Sequence, residues 1–140
     1  MASTHSPEDP CTTLHLPHAL DTVDTARSQM MADLEPHHLS AELLQDAELV
    51  LVELVANAWE HGNPDAAGQV EVSWCLLDQT LRISVVDGGL SSGRELDLQP
   101  RPRDPAALRG RGLMLVDYLC SNWTADTQGR TRVTAELTLT

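Results

Sequence analysis

Apolar residues follow two spacings along the chain, and these separate helices from strands. Over residues 21–34 they recur every third or fourth position, and the same helical spacing returns over residues 40–61. Apolar and polar residues instead alternate in "QVEVSWCLL" and, after a short turn, "LRISVV" follows; "NWTADT" and "RTRVTAELTLT" repeat this arrangement. The chain is therefore expected to form two helices followed by two β-hairpins.

The second predicted helix has recognisable ends and two faces. Ser40 is expected to be its N-cap, and Gly62 its C-terminal stop. At helical spacing, one face collects the apolar residues Leu44, Ala47, Leu51, Leu54, Val55 and Ala58. The opposite, polar face is predicted to carry Asp46, Glu53, Asn57 and Glu60.

Shorter segments complete the order of elements. "CTTLHL" alternates like a strand, and a short apolar helix is expected to begin near Gly112. Residues 1–10 are expected to be a disordered lead-in, and residues 11–140 to form one domain. Strand, two helices, hairpin, loop, helix and hairpin predict an α+β two-layer sandwich. Its mostly antiparallel, mixed sheet would be covered by helices on one face.

Composition and charge restrict the partners. The formal net charge is −12 and all nine basic residues are Arg, so nucleic acid and anionic membranes are disfavoured. Cys11, Cys75 and Cys120 are widely spaced without a CxxC motif, which predicts neither a disulfide framework nor a zinc site. With no signal peptide and no long apolar stretch, a cytoplasmic protein is expected.

The stretch "ELVANAWEHG" adds polar, potentially reactive side chains to the long predicted helix. Glu53 and Asn57 are four residues apart and so project from the same side. The amide oxygen of Asn57 suits Mg²⁺, and a carboxylate can accept a proton from a nucleophile. A solvated helix face is the alternative that the helix alone leaves open. His61 suits the negative end of the helix.

Two glycine segments follow the long helix. In "VVDGGL", Asp87 ends a strand, where it could form an ordinary turn or accept a hydrogen bond from a ligand's amino group. "RGRGL" opens the short helix, and free backbone N–H groups there, with Arg109 and Arg111, suit phosphate. Alone, "RGRGL" is weak evidence for a phosphate-binding site, since it fits neither a Walker loop nor the GxGxxG motif.

The order of these motifs resembles that of the GHKL (Bergerat-fold) ATPase and kinase superfamily. E-x-x-x-N on a helix, D-x-G after a strand and G-x-G at a helix start occur in that order within residues 12–139. "ELVANAWEHG" is similar to the helix motif of the anti-sigma-factor serine/threonine-protein kinases of bacterial partner-switching systems, through Glu, Asn-Ala and His-Gly. The phosphoacceptor segment of a sensor histidine kinase is not found. The catalytic domain of a sensor kinase is therefore a disfavoured alternative.

The resemblance implies a role for each motif residue near the nucleotide. Glu53 would be the general base toward the substrate serine, and Asn57 would bind the Mg²⁺ that bridges the ATP phosphates. Asp87 would bind the adenine amino group, and Gly89 would give the nucleotide room. Gly110 and Gly112 would shape a phosphate pocket beneath a mobile lid formed by residues 90–109.

The resemblance also implies partners. The chain would be an anti-sigma factor that sequesters a sigma factor, and a kinase that phosphorylates Ser or Thr on a small STAS-type antagonist. Arg27, after Ala26 on the first helix, would dock these proteins, with an ordinary exposed Arg as the alternative. A homodimer is expected. Ser91 replaces the second Gly of D-x-G-x-G, which keeps open a catalytically weak, ATP-binding sequestering module. A switch kinase whose target is not a sigma factor is a further alternative.

Overall fold

The computed structural model describes residues 3–4, 10–89, 113–127 and 129–139. These residues form, in chain order, strands β1 (Ser3–Thr4) and β2 (Cys11–Pro17), helix α1 (Thr22–Leu34), a 3-10 turn (Glu35–His37), helix α2 (Ala41–His61), strands β3 (Gln69–Leu76) and β4 (Thr80–Asp87), helix α3 (Leu113–Leu119), and strands β5 (Asn122–Asp126) and β6 (Thr131–Thr138).

The strands form one open sheet in the order β1-β2-β3-β4-β6-β5. Every strand pair within the described residues is antiparallel, where a mostly antiparallel, mixed sheet was expected. Both predicted hairpins are present, and the second inserts β6 beside β4. The predicted α+β fold is confirmed.

The core lies between the helices and one face of the sheet. Burial alternates along β2, β3 and β6, so every second side chain points toward the helices. Helix α2 packs against α1, α3, β4 and β6, and is therefore the central helix. The largest fully buried side chains are aliphatic apart from one Trp: Trp74, Leu14, Met30, Leu34, Leu51, Leu54, Leu81, Ile83, Leu113, Val50, Val55 and Val70.

The ends of α2 follow the sequence prediction. The Ser40 hydroxyl accepts a hydrogen bond from the Leu43 N–H at 3.1 Å, which satisfies one of the free N–H groups of the first turn. At the other end, the Gly62 N–H donates to the Ala58 carbonyl at 3.0 Å. Helix α2 thus begins and ends where its capping residues predict.

The prediction for the cysteines was wrong. Cys11 and Cys75 form a disulfide, although they are 64 residues apart in sequence. They are directly opposite each other in the antiparallel register of β2 and β3. Spacing along the chain could not reveal this pair, because strand pairing brought the two residues together. Cys120 is a free thiol whose pKa is raised to about 12, chiefly by burial and then by Asp117 and Asp46.

The N-terminal prediction lies only partly within the described residues. Ser3–Thr4 pairs with β2, and the Pro10 carbonyl accepts a hydrogen bond from the Leu76 N–H at 2.9 Å. In the ranges described above, no helix is long and apolar enough to cross a membrane.

Candidate nucleotide site

The C-terminal end of α2 meets the end of β4, and that end of β4 pairs with the start of β6. The Asn63 N–H donates to the Gly89 carbonyl at 3.0 Å, and the Gly88 N–H donates to the Asn63 carbonyl at 2.7 Å. These reciprocal bonds fix the turn after Asp87 against the end of α2. The fold therefore brings the E-x-x-x-N and D-x-G motifs to one place.

Asn57 is buried, which differs from its predicted place on the polar face of α2. Its side chain is 7% exposed, because it follows Leu54 and Val50 on the inward side of the helix. Its Oδ1 atom is buried and has no hydrogen-bond partner among the described residues. A solvated helix face therefore does not account for Asn57. A buried amide oxygen of this kind can accept a hydrogen bond from a ligand or coordinate a cation.

Glu53 is half-buried on the same helix, one turn before Asn57. Burial raises the pKa of its carboxyl group above the usual value, and the neighbouring charge of Glu60 raises it further. A carboxylate with a raised pKa holds an abstracted proton more tightly and so is a better general base. Glu60 itself is exposed, as predicted.

Asp87 is buried at the end of β4. Its side chain is 4% exposed, and Oδ1 accepts a hydrogen bond from the Gly89 N–H at 2.7 Å. Burial raises the pKa of this carboxyl to about 6, while the hydrogen bond from the Gly89 N–H and the electrostatic influence of nearby His18 oppose that rise. Asp87 therefore does form a local turn, but as a buried carboxylate that retains further acceptor capacity.

Two glycines allow the close packing around Asp87. A Cβ on Gly62 would lie 2.1 Å from Asp87 Oδ2, so any side chain there would displace the carboxylate. Gly89 has a φ of +112°, a conformation that favours glycine. Gly62 was predicted only as a helix stop. Its second role depends on the approach of β4, which the local sequence does not show.

The sequence analysis also missed Thr131 and His18. Thr131 is opposite Asp87 in the β4–β6 register and is 4% exposed; its Oγ1 has no hydrogen-bond partner in the described part of the chain. His18, in the β2–α1 connection, has Nε2 3.3 Å from the Ala58 carbonyl oxygen. No motif marks either residue. Only strand pairing places a second unpaired polar group beside Asp87.

The remaining predicted residues are either outside the described residues or away from the group around Asp87. Arg109, Gly110, Arg111 and Gly112, Ser91 and the predicted lid over 90–109 lie outside the described residues. Arg27 lies on α1, where it pairs with Asp24 at 3.0 Å and with Glu48 of α2 at 3.4 Å. It thus bridges α1 to the first half of α2 and does not join the group around Asp87.

The donor set fits a magnesium ion that the nucleotide helps to hold. Within the described ranges, no group of three or more His, Cys, Asp or Glu side chains could hold a metal alone. Mg²⁺ is usually bound by one or two protein ligands together with water and substrate phosphates. The unpaired amide oxygen of Asn57 suits such a shared site.

Residues 16–137 match the family model of the histidine kinase-like ATPase domain. The chain belongs to this family. The superfamily inferred from the three motifs is thereby confirmed, and ATP is the ligand that the family implies. A search of curated proteins found no match.

The fold of this ATPase-family domain is similar to a crystal structure of the RsbU and RsbW domains of Rv1364c from Mycobacterium tuberculosis. The TM-score is 0.71 at 22% identity, over 93% of this chain and 32% of that one. The chain thus spans about a third of the length of that protein. At this identity the likeness supports the fold.

Proposed function

We propose that this ATPase-family domain is a Mg-ATP-dependent protein-serine/threonine kinase and an anti-sigma factor of a partner-switching system. The observation that carries the proposal is the buried, unpaired Oδ1 of Asn57, one turn from a half-buried Glu53 with a raised pKa. A purely structural role does not explain the Asn57 oxygen, because burying an unpaired polar group costs about 1–3 kcal/mol.

Asp87 is the proposed recognition group for adenine. Its carboxylate is fixed on one side by the Gly89 N–H, and Gly62 leaves room for the other oxygen. The unpaired hydroxyl of Thr131 lies on the neighbouring strand and can share a donor or a water with Asp87. Together these groups can distinguish an exocyclic amino group from a carbonyl group.

Asn57 is the proposed Mg²⁺ ligand, and the G-x-G segment is the proposed phosphate cradle. When bound, Mg-ATP supplies a transferable phosphoryl group whose charge the metal partly neutralises. Asn57 would hold the metal by its Oδ1 atom. Arg109, Gly110, Arg111 and Gly112 are assigned to the phosphates on their motif alone.

Glu53 is the proposed general base. It would accept the proton of a Ser or Thr hydroxyl on the partner, so that the hydroxyl oxygen becomes the better nucleophile. Its partial exposure leaves it accessible to a partner side chain, and its partial burial raises the pKa of the carboxyl. A phosphoryl-transfer site acts mainly by positioning the reacting groups. In this proposal, helix α2 positions Glu53 relative to Asn57.

The proposed partners are a small STAS-type antagonist and a sigma factor, with a second copy of the chain forming a homodimer. The similarity of "ELVANAWEHG" to anti-sigma kinases, and the similarity of the fold to part of the Rv1364c structure, support this choice. Arg27 is the proposed docking residue, beside a shallow groove of 440 Å³ along α1. The net charge of −12 disfavours nucleic acid, and a cytoplasmic location is proposed.

A second candidate function is an ATP-binding sequestering module with weak catalysis or none. The observation that favours it is Ser91 in place of the second Gly of D-x-G-x-G. A switch kinase that acts on a target other than a sigma factor would have the same site, and would differ only in its partner.

The test begins with calorimetric titration of ATP, with and without Mg²⁺. Asn57→Ala should weaken Mg-ATP binding by about 10–100-fold, the loss expected for a hydrogen-bonded or ligating group, and leave the unfolding midpoint unchanged or higher. Gln45→Ala, an exposed position on the same helix, is the matched control. Labelled ATP with an antagonist protein then separates kinase from sequestering module. Unchanged Mg-ATP affinity in Asn57→Ala would refute the metal assignment.

A further inference from the structure

Cys11 and Cys75 are placed for reversible chemistry. They are opposite each other on β2 and β3, and both are half-buried. Cys75 borders a solvent-open depression of 390 Å³ on the sheet, so a small thiol reagent can reach the pair. The pKa of the Cys120 thiol, by contrast, is raised to about 12, which keeps it protonated and unreactive.

The residue pair next to the disulfide in the β2–β3 register forms hydrogen bonds to helix α1. Thr12 and Trp74 face each other one step along the same register. The Thr12 hydroxyl donates to Asp33 Oδ2 at 2.9 Å, and the Trp74 indole N–H donates to the same oxygen at 2.8 Å. One carboxylate oxygen of α1 therefore accepts one hydrogen bond from β2 and one from β3. Both bonds can form only while β2 and β3 keep this register.

We propose that Cys11 and Cys75 form a reversible thiol–disulfide site whose oxidation locks helix α1 to the sheet through Asp33. With both cysteines bonded, β2 cannot slip or fray from β3 at this end, so Thr12 and Trp74 stay aligned on Asp33. With both reduced, backbone hydrogen bonds and the packing of buried side chains hold that register without a covalent bond.

The oxidant is a small disulfide, such as oxidised glutathione. One cysteine thiolate attacks it, forms a mixed disulfide and releases one glutathione thiolate. The second cysteine thiolate then attacks the protein sulfur and releases the second glutathione. The protein loses two protons and two electrons, and one glutathione disulfide becomes two thiols. In a reducing compartment such a pair is transiently oxidised and acts as a redox sensor.

The effect of the disulfide on α1 extends to the proposed partner-binding surface. The disulfide closes a loop that contains all of α1 and α2, and Arg27 lies on α1 ahead of Asp33. Oxidation should therefore make α1 more rigid and change partner affinity. This last consequence rests on the proposed function, whereas the thiol–disulfide site and the locking of α1 do not.

The test compares the protein oxidised with glutathione disulfide and the protein reduced with dithiothreitol. Mass spectrometry after alkylation should show a Cys11–Cys75 cross-link that dithiothreitol removes, with Cys120 free in both states. Oxidation should raise the unfolding midpoint by roughly 10 °C, as expected for a cross-link that closes a long loop. Amide exchange in α1 should slow by about tenfold.

Three variants separate the steps. Cys11→Ser with Cys75→Ser should abolish the redox response, and Cys120→Ala should keep it. Asp33→Ala, which removes the acceptor of both hydrogen bonds, should still form the cross-link but lose most of the redox effect on α1 exchange. Absence of the cross-link, or equal α1 exchange in both redox states, would overturn the proposal. A failure to bind Mg-ATP would instead contradict the proposed function, and would leave the redox result intact.

Discussion

The two halves of α2 differ in how deeply their polar side chains are buried. In the first half, Glu42 and Gln45 are exposed, while Leu43, Ala47 and Val50 are buried. In the second half, Asn57 is buried with an unpaired oxygen, and burial raises the pKa of Glu53. An exposed polar side chain on a helix costs little, whereas a buried unpaired one costs about 1–3 kcal/mol. The comparison teaches that burial of polar groups, more than their spacing along the sequence, distinguishes the half of α2 that carries the proposed site.

The largest expected effect is on catalysis. Glu53→Gln keeps the shape of the side chain but removes its ability to accept a proton. Phosphoryl transfer to an antagonist should fall by about 10²–10⁴-fold, the usual contribution of a general base, with Mg-ATP affinity largely kept. Labelled-phosphate transfer measures the rate. Glu42→Gln, exposed in the first half, is the control and should transfer at the wild-type rate.

The next effect concerns pH and Asp87, which packs against the end of the second half. Its native pKa of about 6 lies above the ordinary value of 3.8, so the folded state binds the proton more tightly. The contribution of Asp87 to stability is therefore favourable at low pH, and is lost as pH rises from about 4 to 6, by at most roughly 3 kcal/mol.

Nucleotide affinity should change in the opposite direction. Adenine needs the ionised carboxylate as acceptor, so ATP affinity should fall as pH drops through about 6. The difference in unfolding free energy and in ATP affinity between wild type and Asp87→Asn, measured from pH 4.5 to about 7.5, isolates this group. A difference that does not vary with pH would contradict the assignment.

Gly62→Ala tests the contact between the helix end and Asp87. The new Cβ would lie 2.1 Å from Asp87 Oδ2 and 2.9 Å from the Ala58 carbonyl oxygen, so the structure must shift. Stability should fall by about 1–3 kcal/mol, as in other overpacked sites, and ATP binding should weaken. Gly68→Ala is the control: its φ is +78° but nothing lies within 4 Å, so only backbone strain is added. ATP affinity should be unaffected there.

The smallest expected effect is at Arg27, which bridges α1 to the first half of α2. Its pairs with Asp24 and Glu48 are largely exposed, so Arg27→Ala should lower stability by less than about 1 kcal/mol. Transfer to an antagonist should nevertheless weaken if Arg27 docks partners, with Mg-ATP affinity unchanged. Equal antagonist binding by the variant and wild type, measured by surface plasmon resonance, would restrict Arg27 to its bridging role.

The sequence by itself determined the elements and the family. Helical spacing of apolar residues, the Ser40 cap and the Gly62 stop fixed α2, because these signals act between residues within one or two turns. The order of the Glu53–Asn57, Asp87 and Gly110–Gly112 motifs was enough to indicate the ATPase superfamily, which the match over residues 16–137 confirmed.

Only the tertiary structure decided which residues meet. The Cys11–Cys75 bond, the position of Thr131 opposite Asp87, and the contact of Gly62 with that carboxylate all depend on how strands pair. The burial of Asn57 likewise depends on what packs against α2. A local sequence pattern carries the periodicity of its own helix or strand. It does not carry the register of a partner that is distant in sequence, because that register is set by the free energy of the whole packed sheet and core.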